Sequence, residues 1–176
     1  MATVTDRRRM PAELKIESVT AIVDTREQQP VTLAPLLSVT RTLNLADYSY
    51  IGGEHICRIE RKSESDLLAC VGRERERFDR ECERLRAYET RAIVIESTWS
   101  ELEAGQWRSQ ITPKQAVGSC LGWIASGVPI IMAGNHERAG QYIARLLFTS
   151  ARRRWRESRA LIAHLSATRI ENHTCS

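Results

Sequence analysis

Apolar residues occur in short β-branched or alternating runs along much of the chain, a pattern typical of strands. Turn residues separate these runs, and Gly52-Gly53 between two of them predicts a hairpin. The candidate strands cover residues 19–23, 39–45, 48–51, 55–61, 92–96 and 128–132.

Helix signals alternate with these strands. Ser63 followed by Asp66 predicts a capped helix start, and Thr112-Pro113-Lys114-Gln115 predicts another that runs to about Ser126. Charged helical periodicity covers residues 73–89, and a long amphipathic helix begins near His136. The sequence therefore predicts an α/β domain with a mixed sheet of about five strands flanked by α-helices.

Composition narrows the class of protein without naming a function. The 176 residues, of which 42% are hydrophobic, suffice for one buried core. A net charge of +4 favours a polyanionic partner only weakly. The five cysteines are scattered and show no zinc spacing, and no apolar stretch reaches membrane length, so we expect reduced thiols, no membrane partner and a cytoplasmic location.

Acidic residues follow predicted strands in an order that suits phosphodiester chemistry. Asp24 and Asp47 come directly after apolar runs, and Glu60 and Lys62 lie within a third. Side chains alternate along a strand, so Glu60 and Lys62 point to the same face. Carboxylates there can hold a divalent cation, and the lysine can orient an attacking water.

Three ordered motifs resemble those of the XPF-type nucleases, a branch of the PD-(D/E)XK superfamily. They read Val23-Asp24-Thr25-Arg26-Glu27, Ala46-Asp47 and Glu60-Arg61-Lys62-Ser63-Glu64-Ser65-Asp66. The resemblance implies a restriction-endonuclease-like fold, a DNA substrate that is branched or carries a flap, Mg²⁺ or Mn²⁺, and a homodimer. It implies a nuclease domain at 19–150 between an N-terminal extension (1–18) and a basic C-terminal helical extension (151–176).

The resemblance also implies a role for each site residue. Asp47, Glu60 and the carbonyl of Arg61 would hold the metal, with Asp24 completing the acidic shell. Lys62 would position the nucleophile. The remaining catalytic candidates, which would organise the phosphate and the lysine, are Arg26, Glu27 and Arg77. Of these, Arg77 would point towards the scissile phosphate.

The chain departs from the family pattern at two positions. Ala46 replaces the usual glycine, a change that extended backbone tolerates and left-handed backbone does not. Glu81 stands where relatives commonly carry glutamine. Two further acids are open: Asp66 is a helix cap or supports the site, and Glu96 is a strand terminus, the favoured interpretation, or a further site residue. No helix-hairpin-helix repeats follow, so we expect a stand-alone bacterial or phage nuclease.

Two surfaces have competing interpretations. The arginines around Trp155 either bind DNA or pack on a partner: Arg152, Arg153, Arg154 and Arg156. The apolar runs 121–124 and 128–132 either fill the core or form the homodimer interface. Two alternative functions are a non-catalytic DNA-binding or scaffolding subunit and a sequence-specific restriction-like enzyme.

Overall fold

A six-stranded mixed sheet organises the chain in the computed structural model, which describes residues 10–174. The strands are β1 (Thr20–Asp24), β2 (Leu37–Arg41), β3 (Tyr48–Tyr50), β4 (Cys57–Lys62), β5 (Thr90–Ile95) and β6 (Ile130–Met132). The helices are α1 (Glu64–Val71), α2 (Arg75–Leu85), α3 (Trp99–Ala104), α4 (Pro113–Ala125) and α5 (His136–Thr174), with a 3-10 turn at Ile16–Ser18. Residues 1–9 of the predicted N-terminal extension, and Cys175, lie outside the described part.

The strand order is β2-β1-β3-β4-β5-β6. The pairs β1/β2, β4/β5 and β5/β6 are parallel, whereas β3 is antiparallel to both β1 and β4. The predicted hairpin is confirmed as β3–β4. The expected fold class is confirmed too. The sheet has six strands where about five were expected, because all six candidate runs, including 128–132, pair in it.

The second strand begins earlier than its apolar pattern predicts. It spans Leu37–Arg41 instead of 39–45, in parallel register with β1. Residues 42–47 leave the sheet as a loop, which buries Leu43 and Leu45 without strand pairing. Asp47 therefore precedes β3 rather than ending β2.

Each face of the sheet packs against its own helices. Cys57 and Ile59 of β4 face the cluster that contains Ile143 and Leu147 of α5. The opposite face packs against α1, α2 and α4, through a cluster that includes Leu67, Phe78 and Trp123. Period-two alternation places Arg58, Glu60 and Lys62 on that second face. The chemistry-bearing residues of β4 thus lie beneath α1 and α2.

One helix, α3, is absent from the sequence prediction, whereas α5 begins where it is expected. α3 has no apolar periodicity long enough to predict it, although Thr98 and Glu101 form a complete capping box. α5 begins at His136 as predicted, where the Asn135 side chain accepts the N–H of Arg138 (2.9 Å). It continues through residue 150 into the basic segment without a break. No helix in residues 10–174 is both long and apolar enough to cross a membrane.

Candidate active site

Asp47 is fixed between two neighbouring strands. Its backbone N–H donates to the carbonyl of Ile59 (3.2 Å), and its carbonyl accepts the N–H of Asp24 (2.7 Å). Its carboxylate Oδ2 accepts the backbone N–H of Arg61 at 2.8 Å. These bonds place the carboxylate beside β4, beyond the point where β3 and β4 stop pairing.

The turn before Asp47 contains an alanine in left-handed backbone. Ala46 has φ 59°, the conformation that its family glycine would adopt freely. A left-handed conformation costs an L-residue roughly 1–2 kcal/mol. The Ala46 methyl is buried in the same cluster as Leu45 and Phe78. Tertiary packing therefore holds Ala46 in the backbone conformation that an alanine does not favour.

Glu60 and Lys62 lie together on one face of β4, as the sequence predicts. The Lys62 ammonium forms an ion pair with Glu60 Oε1, and both side chains are largely buried. Lys62 Nζ also lies 5.2 Å from the centre of the Phe78 ring on α2. Phe78 and the ion pair thus restrict the lysine to a position beside the carboxylates.

The electrostatics of this group favour a bound cation. Burial, followed by the neighbouring Glu60 charge, raises the pKa of Asp47 to about 8. Burial also raises the pKa of Glu60, although Lys62 opposes that shift. Burial alone would lower the pKa of Lys62, but Glu60 outweighs it and raises the pKa. A second positive charge near Asp47 would stabilise both ionised carboxylates.

The Arg61 main chain faces the same place. In a strand, the N–H and C=O of one residue point to the same side. Since the Arg61 N–H reaches Asp47, the Arg61 carbonyl is directed to the Asp47 side of β4. Asp47, Glu60 and this carbonyl form a compact set of oxygen donors.

The Arg61 side chain points to the opposite face and lies in a buried ionic network. Glu27 binds it with both carboxylate oxygens (2.9 and 3.0 Å). Glu96 accepts a further bond at 2.8 Å and contacts His136 Nδ1 at 2.7 Å. Tyr48 and the N–H of Gln29 also contact the Glu27 carboxylate. The network connects the loop after β1 with the ends of β4 and β5.

The donor set fits a small hard cation. Residues 10–174 contain no group of three or more His, Cys, Asp and Glu side chains arranged as a metal site. Mg²⁺ retains several waters and uses one or two carboxylates together with substrate phosphates. Two carboxylates and a carbonyl are therefore an adequate protein contribution.

A family profile described as the ERCC4 domain matches residues 23–146, more than half of the chain. The chain belongs to the ERCC4 domain family. XPF from Aeropyrum pernix is structurally similar, with a TM-score of 0.59, 19% identity, and coverage of 84% of this chain and 73% of that one. A second structure, XPF from Aeropyrum pernix in complex with DNA, is also similar. Its TM-score is 0.59 and its identity is 20%, with coverage of 75% of this chain and 64% of that one. The curated proteins include no match. These findings confirm the XPF-type nuclease fold.

In this ERCC4 domain, both carboxylate oxygens of Asp24 accept hydrogen bonds from the protein. Oδ1 accepts the backbone N–H and the Nε of Arg26 (2.9 and 2.6 Å), and Oδ2 accepts the N–H of Leu43. Its side chain is 1% exposed. Burial would raise the pKa of Asp24, but these hydrogen bonds outweigh it and lower the pKa. These bonds hold the β2–β3 loop. The metal contact that the resemblance implies for Asp24, either direct or through water, stays a prediction.

Arg77 lies on α2 near the ion pair but has partners of its own. Its guanidinium binds Glu74 and Glu81 (2.6 Å to Glu81), and its side chain is 50% exposed. Among the charges that influence the pKa of Glu60, Arg77 lowers it and Glu81 raises it. Glu81 therefore belongs to the surroundings of the site and neutralises the arginine there.

Two grooves adjoin the carboxylates. One, of about 370 Å³, is lined by Arg26, Asp47 and Lys62 among others. The larger, of about 880 Å³, shares Lys62 and extends past Arg77. Asp66 borders both, while its backbone N–H and carboxylate bond to Ser63 Oγ, which confirms the helix cap.

The four tail arginines, namely Arg152, Arg153, Arg154 and Arg156, lie on α5 away from these grooves. Arg153 pairs with Glu89 (3.0 Å) and Glu157 (3.1 Å), and Arg154 pairs with Glu157. Arg152 stacks on Phe148, with its Cζ 5.4 Å from the ring centre. Half of the predicted DNA-binding tail is thus already paired with carboxylates.

The sequence underestimates Glu96. Glu96 directly follows the last residue of β5, as the favoured interpretation expects, and its carboxylate also binds both Arg61 and His136. The parallel register of β4 and β5 pairs Lys62 with Ile95, which brings the next residue to the Arg61 side chain. The pairing of β4 with β5 cannot be deduced from the sequence pattern. The sequence shows only that an acidic residue follows a predicted strand.

Proposed function

We propose that this chain is a DNA endonuclease that hydrolyses phosphodiester bonds with Mg²⁺ or Mn²⁺, on branched or flap DNA. One observation carries the proposal: Asp47, the Glu60–Lys62 pair and the Arg61 carbonyl converge beside an open groove. The structure of XPF from Aeropyrum pernix in complex with DNA supports a DNA substrate for this chain.

Each residue has a defined task in this mechanism. Asp47 and Glu60, with the Arg61 carbonyl, would hold the cation, which supplies charge neutralisation at the scissile phosphate. Lys62, held by Glu60, would position the attacking water by hydrogen bonding. Arg61 and Glu27 keep the end of β4 rigid through their bidentate pair. Such fixed geometry favours the charged transition state because little reorganisation is needed.

The decisive experiment compares duplex, flap, fork and four-way DNA of matched sequence with the purified protein. We expect cleavage with Mg²⁺ or Mn²⁺, none with EDTA, and a preference for a branched substrate. Asp47→Asn and Lys62→Ala should abolish it, whereas Lys114→Ala, an exposed lysine on α4, should cleave normally. Cleavage of linear duplex at fixed sequences would indicate the restriction-like alternative.

Binding to DNA without cleavage under every metal condition would favour the non-catalytic subunit instead. The chain retains both carboxylates and the lysine in a buried, ordered arrangement. A subunit that only binds DNA has no need of that arrangement, so the enzyme is the preferred proposal.

A homodimer is the second part of the proposal. The predicted apolar run is divided: Trp123 and Val128 are buried within the monomer, but Leu121 and Ile124 are 53% and 39% exposed. They lie on α4, next to the open edge strand β6, whose residues are only partly buried. Light scattering at micromolar concentration should give twice 20.0 kDa, and Leu121→Glu should produce the monomer. A monomeric wild type rejects the dimer.

A further inference from the structure

Arg58 carries a buried charge without an acidic partner. It is 4% exposed, and its guanidinium donates to Ser49 Oγ (3.1 Å), the Cys57 carbonyl (3.0 Å) and Asn44 Oδ1 (3.1 Å). Its Nε has no hydrogen-bond partner. Arg58 takes part in none of the ion pairs formed by the described residues. A buried cation normally has an anion beside it, because neutral acceptors do not offset its desolvation.

A groove of about 610 Å³ opens above this guanidinium. Tyr88 covers one side of Arg58, with its ring centre 4.9 Å from Cζ. Arg84, at the end of α2, lines the same groove and donates to the Asn44 carbonyl (2.8 Å). The one carboxylate of the lining, Glu54, accepts the N–H of Gly52 at 2.8 Å. The groove therefore offers a ligand the exposed guanidinium of Arg84, with the buried charge of Arg58 beneath it.

The groove continues the line of the active site. Arg58 and Glu60 are two residues apart on the same face of β4, a separation of about 7 Å. On α2, Arg84 follows Arg77 by two turns, or about 10 Å, so the helix and strand run side by side from one site to the other. The loop from Asn44 to Asp47 also joins them. A nucleic-acid strand lying along β4 would meet both places.

We infer that Arg58 and Arg84 form a second phosphate subsite, which binds a non-scissile phosphodiester of the strand cleaved at the Asp47–Glu60 centre. The inference rests on the proposed function. Arg84 would contact the phosphate directly, and the buried charge of Arg58 would attract it from below. Substrate affinity and register, rather than the chemical step, depend on this subsite.

The test replaces single DNA phosphates with neutral methylphosphonates in a branched substrate and measures binding in Ca²⁺ to prevent cleavage. For wild type, a methylphosphonate at one position within a few nucleotides of the incision point should weaken binding roughly tenfold. That is the effect expected from the loss of one charged hydrogen bond. Arg84→Gln should weaken binding of unmodified DNA similarly and make that position insensitive. The salt slope should fall by about one unit.

Two further variants complete the experiment. Arg58→Met keeps the side-chain bulk. If circular dichroism shows that this variant folds, it should weaken DNA binding as Arg84→Gln does. If it does not fold, the test rests on Arg84→Gln alone. Arg145→Gln, an exposed arginine on α5 across the sheet, should match wild type. If methylphosphonate sensitivity is identical in wild type and Arg84→Gln, the inference is wrong. It is also wrong if inorganic phosphate stabilises wild type, but not Arg84→Gln, without any DNA position coupling to it. Absent cleavage in Mg²⁺ would reject the nuclease proposal but not these binding results.

Discussion

The carboxylate of Asp47 accepts the backbone N–H of Arg61 at 2.8 Å, in the place where another strand residue would normally bond. The backbone of Asp47 already pairs with Ile59, two residues earlier on β4. The side chain of Asp47 thus extends the β3–β4 ladder by one bond. This arrangement ties the position of the proposed metal ligand to the sheet itself.

Our first prediction is that Asp47→Asn stabilises the metal-free protein while abolishing cleavage. The folded state raises the pKa of Asp47 to about 8, above its value of 3.8 in a model peptide. The folded form therefore binds more protons, and wild-type stability falls as pH rises from about 4 to 8. In urea unfolding with EDTA at pH 8, the free energy of unfolding of Asp47→Asn should exceed that of wild type by about 1–3 kcal/mol.

At pH 3 and below that advantage should vanish, because Asp47 is then largely protonated in both the folded and the unfolded state. Mg²⁺ should raise the stability of wild type and have little effect on the variant. If Asp47→Asn is destabilised at pH 8 without metal, burial of the charge does not control this site.

The second prediction is that Lys62→Ala unfolds more easily as well as losing cleavage. The lysine neutralises buried Glu60, so its removal leaves an unpaired buried carboxylate, which costs about 3 kcal/mol. Adding Glu60→Gln should recover part of that loss without restoring activity. Equal stability of the single and double variants would show that the ion pair is not coupled, and would contradict the prediction.

These residues also show how far sequence reasoning reaches. The shared face of Glu60 and Lys62 follows from strand alternation alone, and Asp47 is found by its motif. Its orientation is not, because it depends on the left-handed backbone of Ala46 and on a bond to Arg61. Arg58 gives no local signal, since its missing counter-ion appears only when every neighbouring element is packed around it.

Asp24→Asn is expected to destabilise the protein even without metal, which is our third prediction. Both oxygens of Asp24 accept N–H groups, so an amide NH₂ would oppose one donor and cost about 1–3 kcal/mol. Urea unfolding in EDTA should show this loss, with Glu103→Gln as an exposed control. Unchanged stability combined with weaker Mg²⁺ affinity would instead make Asp24 a metal ligand.

The fourth prediction concerns Ala46→Gly. Glycine removes a left-handed penalty of roughly 1–2 kcal/mol. It also loses a buried methyl and increases the conformational entropy of the unfolded chain, and these two costs together are of similar size to the penalty removed. We expect a change in unfolding free energy below about 1 kcal/mol. Ala92→Gly, buried in β5 without positive φ, should lose about 1.5 kcal/mol or more. Equal losses in calorimetry would refute the role of backbone conformation.

The last prediction concerns the four tail arginines. If all four contacted phosphates, their replacement by alanine would lower the log-log salt slope of duplex binding by about 3–4 units. Arg153 and Arg154 are already paired with Glu89 and Glu157, so we expect a decrease nearer 2 units. Binding should weaken equally for duplex, flap and fork, because backbone contacts carry no structure preference. Fluorescence anisotropy across salt concentrations measures the slope, with sedimentation run in parallel. An unchanged slope in a variant that becomes monomeric would identify this end of α5 as an oligomerisation element.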